Sequence, residues 1–403
     1  MLFSRHMFYV LFVIVLLVGG IVPAQSFVPG TTYYGRKNYI TYHAGNSPLI
    51  FSAPHGGNVS PSVIPDRTCN SPVLVADANT ADLAMRIDSA CMIVFGCHPH
   101  IVICNMSRKK VDCNRNEADG TCGNSEADIA WQDFHSYLDT AVQAVIADYG
   151  KGFYIDLHGH GHPIQRLEMG YLIHNNQLAL ADSVLNKAAD TIRFGMHHLW
   201  SINQPSLSLT QLLRGPDAIG TQLAQRGYPA VPSQQDPYPL PGDPYFDGGY
   251  NTDRYGSANG GAIDGFQIEH NLTGVRDTYH NRAVYADTLI QVMKTFLLKY
   301  YFNPATLSGC KLVTGEPELA VSNLHTVIYP NPVTNTLTVH FPQMEGYSTL
   351  SLINLQGQII SCHTYQQTSD VLLDLENTPS GLYFLRLQSG NQDETQKLLI
   401  LPR

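Results

Sequence analysis

Three short segments, far apart in the sequence, each place a residue with metal chemistry at the end of a predicted β-strand. The segments are SAPHGG at 52–57, FYIDLHGHGHP at 153–163 and GFQIEHN at 265–271. The first two place His55 and His158 at the strand end, and the third places Glu269 there. In open α/β sheets, sites collect at the carboxyl ends of the strands. The chain must therefore bring three distant strand ends to one edge of a sheet.

These residue types favour a zinc hydrolase. Imidazole nitrogens hold Zn²⁺, and a nearby carboxylate can take a proton from the water that the ion binds. A serine nucleophile with histidine and aspartate is the competing chemistry, but the sequence has no G-x-S-x-G turn. The net charge of −9 and the absence of a basic run argue against nucleic-acid binding.

Residues 26–305 alternate between strand and helix patterns, which predicts an α/β fold. The clearest helix has apolar residues at three- or four-residue spacing over 125–149, with Asn124 or Ser125 available to cap it. The predicted strands are 39–42, 49–52, 101–104, 152–157 and 265–268, and the predicted helices are 80–90, 125–149, 177–195 and 282–300. This order predicts a mostly parallel or mixed sheet flanked by helices on both faces.

The remaining segments differ in composition. Residues 203–261 are rich in Pro, Gly, Gln and Tyr and are too long for an ordinary connection, so we expect a functional lid or binding loop. Residues 306–324 read as a linker. Residues 325–403 show short alternating apolar runs between frequent turns, which predicts a small all-β sandwich domain.

The first 24 residues have the pattern of a secretory signal peptide. Arg5 and His6 precede an apolar run from Met7 to Val22, and the small residues up to Ala24 offer a cleavage site. A retained membrane anchor is the alternative. It is less favoured because the run is short for a span and no basic stop-transfer cluster follows.

Export makes disulfides the expected state of many of the eight cysteines. The close-spaced candidates are Cys91 with Cys97 and Cys113 with Cys122, although six cysteines between residues 69 and 122 allow many pairings. No C-x-x-C pair is present. A strand residue such as Cys104 can also remain a buried thiol.

Other polar residues are candidates to complete the site. A zinc site with two histidines commonly takes an acid as its third ligand, and Asp77 or Asp82, at the start of helix 80–90, could supply it. Acids at this position often only cap the helix. Asp156 could orient a histidine, and His160 could contact substrate, because alternate residues of an extended segment face the same way.

Positive charge collects after the strand 101–104. Arg108 and Arg115 lie there with Asn114 between them. A guanidinium fork matches both a substrate carboxylate and a developing oxyanion, so the pair suits a substrate clamp. A solvated basic turn is the alternative.

In their order along the chain, these segments resemble N-formylglutamate amidohydrolase-like proteins. They are SAPHGG, DANTADLA at 77–84, RKKVDCNRN at 108–116, IDLHGHGH at 155–162 and QIEHN at 267–271, and the resemblance covers roughly residues 33–300. The DLH and D-x-N-R elements are also similar to aspartoacylases and, more remotely, to zinc carboxypeptidases. The resemblance implies a mixed eight-stranded sheet between helices and one zinc.

The resemblance also implies roles for individual residues. It implies zinc ligation by His55 and His158, general base and acid catalysis by Glu269, carboxylate binding by Asn114 and Arg115, and oxyanion stabilisation by Arg108. The superfamily's H-x-x-E acid is missing, because position 58 is an asparagine. The acid must then come from elsewhere, and we favour Asp77 over Asp82. Export also argues against formylglutamate itself as the substrate, because the histidine-degrading members of the family are cytoplasmic.

The C-terminal region carries a second resemblance. YPNP at 329–332, LINLQGQII at 352–360, PSGLYFLRL at 379–387 and KLLIL at 397–401 resemble the type A sorting domain of the type IX secretion system. This implies a Bacteroidetes-type Gram-negative host, passage through the periplasm, and contact with the secretion machinery. The protein would be secreted or attached to the cell surface.

Together these features predict a secreted zinc amidohydrolase that cleaves an N-acyl or N-formyl amino acid-like amide bearing a carboxylate. A metallocarboxypeptidase or peptidoglycan-fragment hydrolase would use the same carboxylate clamp and is the nearest alternative. A non-catalytic surface-binding protein on a hydrolase fold is the alternative outside enzymes. We expect no nucleic-acid partner and no membrane span after signal cleavage.

Overall fold

The computed structural model describes residues 27–303, 310, 326–340, 347–354, 358–366, 370–389 and 392–402. The chain divides into two compact units, residues 1–313 and 314–403. The predicted signal peptide, and the predicted linker apart from residue 310, lie outside the described residues. Within the described ranges, no helix has the length and apolar character needed to cross a membrane.

An eight-stranded mixed sheet forms the centre of the first unit, in the order β1-β2-β4-β3-β5-β8-β6-β7. Its strands are β1 Thr32–Tyr34, β2 Ile40–His43, β3 Leu49–Ala53, β4 His100–Cys104, β5 Gly152–Gly159, β6 Leu167–Gly170, β7 Ala230–Val231 and β8 Ile263–His270. The central strands β4, β3, β5 and β8 are parallel, whereas β2 and β6 pair antiparallel with their neighbours β4 and β8. The predicted α/β mixed sheet is confirmed.

Helices cover both faces of this sheet. They are α1 Thr80–Val94, α2 Glu117–Thr121, α3 Ser125–Tyr149, α4 Asn175–Leu178, α5 Asp182–Lys187, α6 His197–Ile202, α7 Leu209–Arg214, α8 Ile219–Ala224, α9 Tyr250–Tyr255 and α10 Tyr279–Tyr300. Successive strand residues point to opposite faces. Phe51 of β3 packs into one core with α1 and α10, and its neighbour Ile50 packs into the other with α3.

Helix α3 forms where its sequence predicts. The Asn124 side chain accepts hydrogen bonds from the backbone N–H groups of Glu126 and Ala127, satisfying two donors of the first turn. The helix ends at Tyr149. The next residue, Gly150, has a φ of 72°, which glycine adopts readily because it has no Cβ. Phe134 and Leu138 belong to the apolar stripe of this helix and are buried against the sheet.

One prediction about the middle of the chain is wrong. Residues 177–195 do not form one helix, because Ala181 is extended with ψ 144° and separates α4 from α5. Leu178, Leu185 and Ile192 are still buried in a single core, so packing overrides local helix propensity here. Residues 203–261, predicted to be a lid or binding loop, contain α7, α8, α9 and the edge strand β7, and Phe246 and Tyr250 line the cavity described below.

The disulfides differ from the close-spaced candidates. Cys69 bonds to Cys122, and Cys97 bonds to Cys310, across 213 residues of sequence. Cys91, Cys104 and Cys113 are buried free thiols. Burial raises the pKa of Cys91 well above its usual value, which keeps this side chain a neutral part of the core.

The second unit is all β, as predicted. Its strands are β9 Val327–Tyr329, β10 Thr336–His340, β11 Tyr347–Asn354, β12 Ile359–Gln366, β13 Asp370–Asp374, β14 Gly381–Ser389 and β15 Gln392–Ile400. They form two antiparallel sheets, in the orders β13-β10-β9 and β12-β11-β14-β15. Alternate residues such as Leu337 and Val339 of β10, and Leu350 and Leu352 of β11, share one buried core.

Candidate metal centre

The parallel strands β3, β5 and β8 bring the three predicted strand ends to one edge of the sheet. His55 lies two residues beyond the end of β3, and His158 is the penultimate residue of β5. Glu269 lies directly opposite His158 in the pairing of β5 with β8. All three side chains are buried.

Asp77, in the loop before α1, joins the two histidines. Its Oδ2 atom lies 3.3 Å from Nδ1 of His55 and 3.1 Å from Nδ1 of His158. One ligand atom from each of the three residues lies within 4.8 Å of the others. Asp82 lies on α1 outside this group, where it pairs with Arg86 and Arg282.

A buried carboxylate holds the far side of each imidazole. Nε2 of His55 lies 2.7 Å from Asp112, and Nε2 of His158 lies 2.7 Å from Asp156. When each Nε2–H donates to its carboxylate, both Nδ1 atoms present lone pairs towards Asp77. Carboxylates in this position orient histidines that bind metals. Asp112 was not predicted for this role, because in the sequence it sits inside a basic segment.

Carboxylates outnumber cations around the two imidazoles. The acids are Asp77, Asp112, Asp156 and Glu269, and the guanidinium groups are Arg67, Arg108 and Arg276. Burial opposes a charge on His158, but the neighbouring carboxylates outweigh it and raise the pKa of His158 well above its usual value. Burial and the nearby acids raise the pKa of Glu269 to about 8. The centre therefore favours a bound cation.

The donor set fits a zinc ion. Two imidazoles and one carboxylate are a common set of three protein ligands, with a fourth position left open. Bonds of about 2.0–2.1 Å in a tetrahedron place neighbouring ligand atoms about 3.3 Å apart. The two separations from Asp77, 3.1 and 3.3 Å, match that spacing.

A cavity of about 290 Å³ opens onto this group. Arg108, Asn114, Arg115, His160 and Glu269 are among its lining residues. Arg115 is exposed, and among the described residues no carboxylate lies within the 4.0 Å of an ion pair with it. A larger cleft of about 620 Å³ lies elsewhere, but its charged lining residues Asp182 and Arg214 pair with each other.

Three of the predicted lining residues are already engaged by neighbouring protein groups. Arg108 donates through Nε to Asp112 at 3.1 Å, and its Nη1 lies 3.6 Å from Asp77. Asn114 accepts from the backbone of Asn251 through Oδ1. Nδ1 of His160 accepts from the N–H of His162, and Nε2 lies 2.8 Å from the carbonyl oxygen of Arg166. His160 therefore holds its own loop as well as lining the cavity.

Arg276 fastens the backbone around the centre and was not predicted. Its guanidinium donates to the carbonyl oxygens of Ala78, His160 and His270. Asp77 and Glu269 directly precede Ala78 and His270 in the sequence, and His158 lies two residues before His160. Arg276 follows β8 by six residues in a turn, and nothing in the sequence distinguishes it from a surface arginine.

Comparison with solved structures gives similarities with low TM-scores. N-formylglutamate amidohydrolase from Ralstonia eutropha JMP134 is 12% identical, with a TM-score of 0.39, over 65% of this chain and 97% of that one. Dimeric latent PorU from Porphyromonas gingivalis is 13% identical, with a TM-score of 0.17, over 19% of this chain and 9% of that one. No curated protein shows significant sequence similarity.

The second unit matches a family model. Residues 327–401 match the model described as "Secretion system C-terminal sorting domain", which confirms the predicted sorting domain. These residues are strands β9 to β15 with their connections. The chain therefore carries a secretion system C-terminal sorting domain and is a Bacteroidetes-type protein that is secreted or attached to the cell surface.

Proposed function

We propose that the first unit is a zinc-dependent amidohydrolase acting on a small amide substrate that bears a carboxylate. The convergence of His55, Asp77 and His158 beside Glu269 carries this proposal. The three ligands would hold Zn²⁺, which supplies a Lewis acid that polarises a carbonyl and acidifies a bound water.

Glu269 is suited to move the proton. Its Oε1 atom accepts a hydrogen bond from Nε2 of Gln267 at 3.0 Å and lies 4.0 Å from Nδ1 of His158. A carboxyl group whose pKa is about 8 can hold a proton near neutral pH and release it to a leaving amine. Gln267 keeps the carboxyl group facing the cavity.

Gln267 also supports an amide substrate. Gln267 lines the cavity, and its buried Oε1 atom has no hydrogen-bond partner among the described residues. A buried acceptor without a partner is costly, so a ligand that supplies an N–H group would be favoured. The N–H of an amide, or the amine that leaves after cleavage, has this chemistry.

Arg115 and Asn114 would bind the substrate carboxylate at the cavity wall. The exposed Arg115 guanidinium can present two donors to a carboxylate without first breaking an ion pair. Arg108 is already fixed by Asp77 and Asp112, so it would stabilise a developing negative charge without reorganising.

The test combines metal content with turnover. The full chain, purified without chelator, is analysed for zinc and assayed on formyl-, acetyl- and peptidyl-amino acids, including dipeptides with a free carboxylate. We expect about one zinc at this centre, lost in His55→Ala and His158→Ala. Glu269→Gln should keep this zinc but lose turnover by orders of magnitude.

The outcomes separate the candidate functions. Cleavage of dipeptides but not of formyl or acetyl compounds would favour the carboxypeptidase alternative. A folded protein that takes up no zinc at His55 and His158 would contradict the amidohydrolase proposal. So would a Glu269→Gln variant with unchanged turnover.

A further inference from the structure

A second cluster of metal-ligand side chains lies at the opposite edge of the sheet. It consists of His43, the last residue of β2, Asp88 on α1, and His98, just before β4. In the pairing of β2 with β4, His43 lies opposite Ile101, near the amino end of β4. The candidate centre lies at the carboxyl end of the parallel strands, so the two clusters are separate.

The three ligand atoms have the spacing of a metal site. Asp88 Oδ1 lies 2.7 Å from Nδ1 of His98 and 3.4 Å from Nε2 of His43, and these two nitrogens are 3.5 Å apart. Tetrahedral coordination with bonds of about 2.0–2.1 Å requires separations near 3.3 Å. The two longer distances meet this requirement, and the 2.7 Å distance would have to lengthen by about 0.6 Å.

The surroundings fix both imidazoles. Nδ1 of His43 lies 3.1 Å from Oγ1 of Thr32 on β1. When the Nδ1–H group donates to this hydroxyl, the lone pair of Nε2 is left to bind a metal. The His98 ring packs against Gly30, where a Cβ would lie only 2.6 Å from Nε2. Its backbone N–H donates to Asn46 at 3.0 Å.

The cluster is accessible to a metal in solution. The exposed fraction of the side chain is 25% for His98 and 13% for Asp88, compared with 7% for His43. A metal held there would keep an open position towards solvent. His98 also follows Cys97, which is disulfide-bonded to Cys310.

We propose that His43, Asp88 and His98 form a second binding site for Zn²⁺ or a similar divalent transition metal, with a structural role. The ion would join β2, α1 and the segment before β4. It would work with the Cys97–Cys310 disulfide to fasten this edge of the sheet. The hydrolase proposal does not depend on this site.

The test uses the full chain carrying His55→Ala and His158→Ala, which removes the first centre. After chelator treatment and dialysis, Zn²⁺ is titrated while binding is followed by calorimetry and the unfolding temperature is measured. We expect one zinc per chain and a rise in unfolding temperature. Adding His98→Gln should weaken zinc binding at least tenfold and abolish the rise.

His174→Gln is the matched control, because His174 forms a surface pair with Asp247 and belongs to none of the metal-ligand groups among the described residues. This variant should bind zinc as its parent does. If His98→Gln does not fold, Asp88→Asn, which keeps the shape of the ligand, carries the same test. Equal zinc binding with and without the substitution, or no binding in the parent, would show an ordinary hydrogen-bonded cluster and overturn the proposal.

Discussion

Each of the two histidines in the candidate centre is held by a carboxylate on the side away from Asp77. For His55 this partner is Asp112, which also forms ion pairs with Arg67 and Arg108. Burial opposes the charge on Asp112, but His55 and the two guanidinium groups outweigh it and hold the pKa of this carboxyl group well below its usual value. Asp112 is therefore charged and accepts the Nε2–H of His55 strongly.

Asp112→Asn should weaken zinc binding about 10- to 100-fold. The amide keeps an acceptor near His55 but removes the charge that fixes the imidazole tautomer and raises its basicity. Competition with a chromophoric chelator measures the affinity. The control is Asp264→Asn, another buried carboxylate, which binds Ser257 and Tyr301 away from the centre. Equal affinities for Asp112→Asn and the unsubstituted chain would contradict the role of Asp112.

Gln267→Leu should lower kcat/KM about tenfold or more with zinc content unchanged. The substitution removes both the donor to Glu269 and the buried, unpartnered acceptor of a residue that lines the cavity. Steady-state kinetics on the best amide substrate tests this expectation. Gln132→Leu, on the exposed face of α3, is the control. Unchanged kcat/KM would show that Gln267 does not position the reacting groups.

The sequence predicts which site residues lie close together when those residues lie at the ends of strands. His55, His158 and Glu269 could be predicted to meet because parallel strands share a carboxyl edge. The choice between Asp77 and Asp82 depends on the path of the loop before α1, which no periodicity encodes. Asp77 turns inward, whereas Asp82, five residues later, is paired at the surface with two arginines.

At the level of elements, the position of the end of β5 and of the loop that follows it depends on close packing against Arg276. A Cβ at Gly159 would lie 2.3 Å from the guanidinium carbon of Arg276. That distance leaves no room for a side chain, so the glycine allows Arg276 to reach the carbonyl oxygens of His160 and His270. The ends of β5 and β8 are thereby held together.

Gly159→Ala should destabilise the first unit by about 1–3 kcal/mol and lower its zinc affinity. The added methyl group displaces Arg276 and loosens the strand ends that carry His158 and Glu269. Urea unfolding followed by tryptophan fluorescence measures the change, since Trp131 and Trp200 are both in this unit. Gly161→Ala is a matched control two residues away, because a Cβ there meets no atom within 4 Å. Equal effects of the two substitutions would contradict the argument.

Elements with a strong period and clear ends could be predicted, and those shaped by packing could not. Residues 125–149 form a helix because the apolar period, the Asn124 cap and Gly150 agree. Residues 177–195 have an apolar pattern without such end signals. Their buried leucines reach the core through two short helices instead.

At the scale of the whole molecule, buried histidines make the stability of the first unit depend on pH. Nδ1 of His100 accepts from the hydroxyl of Tyr42 at 2.9 Å and from the N–H of Gly45 at 3.3 Å. Burial lowers the pKa of His100 to about 4. The unfolded chain, with an ordinary histidine pKa of about 6.5, binds a proton first as the pH falls. The contribution of His100 to the free energy of unfolding is therefore fully present above about pH 6.5, and it is lost as the pH falls from 6.5 to 4.

His100→Asn should make the free energy of unfolding less dependent on pH, by up to about 1.4 kcal/mol per pH unit in this range. Asparagine can still accept from Tyr42 and Gly45 but does not titrate. Urea unfolding at pH 7 and pH 4.5 gives the comparison. His280→Asn, at an exposed position near the start of α10, should leave the dependence unchanged. An unaltered slope in His100→Asn would show that His100 does not contribute to acid sensitivity.

The Cys97–Cys310 disulfide extends the first unit beyond the predicted catalytic segment 26–305. A chain of residues 27–313 keeps both cysteines, whereas 27–305 leaves Cys97 without its partner. Closing a loop of about 210 residues stabilises a folded chain by up to about 5 kcal/mol in the chain-entropy model. We therefore expect the longer segment to unfold at clearly higher urea concentration under oxidising conditions.

Reductant provides the internal control for this comparison. With both disulfides reduced, the two segments should unfold at similar urea concentrations, because the remaining difference is eight residues at the C-terminus. The 27–313 segment with Cys97→Ser and Cys310→Ser should behave like 27–305 even when oxidised. Equal stability of the two oxidised segments would contradict a stabilising cross-link. A difference that persists in reductant would assign the effect to residues 306–313 rather than to the disulfide.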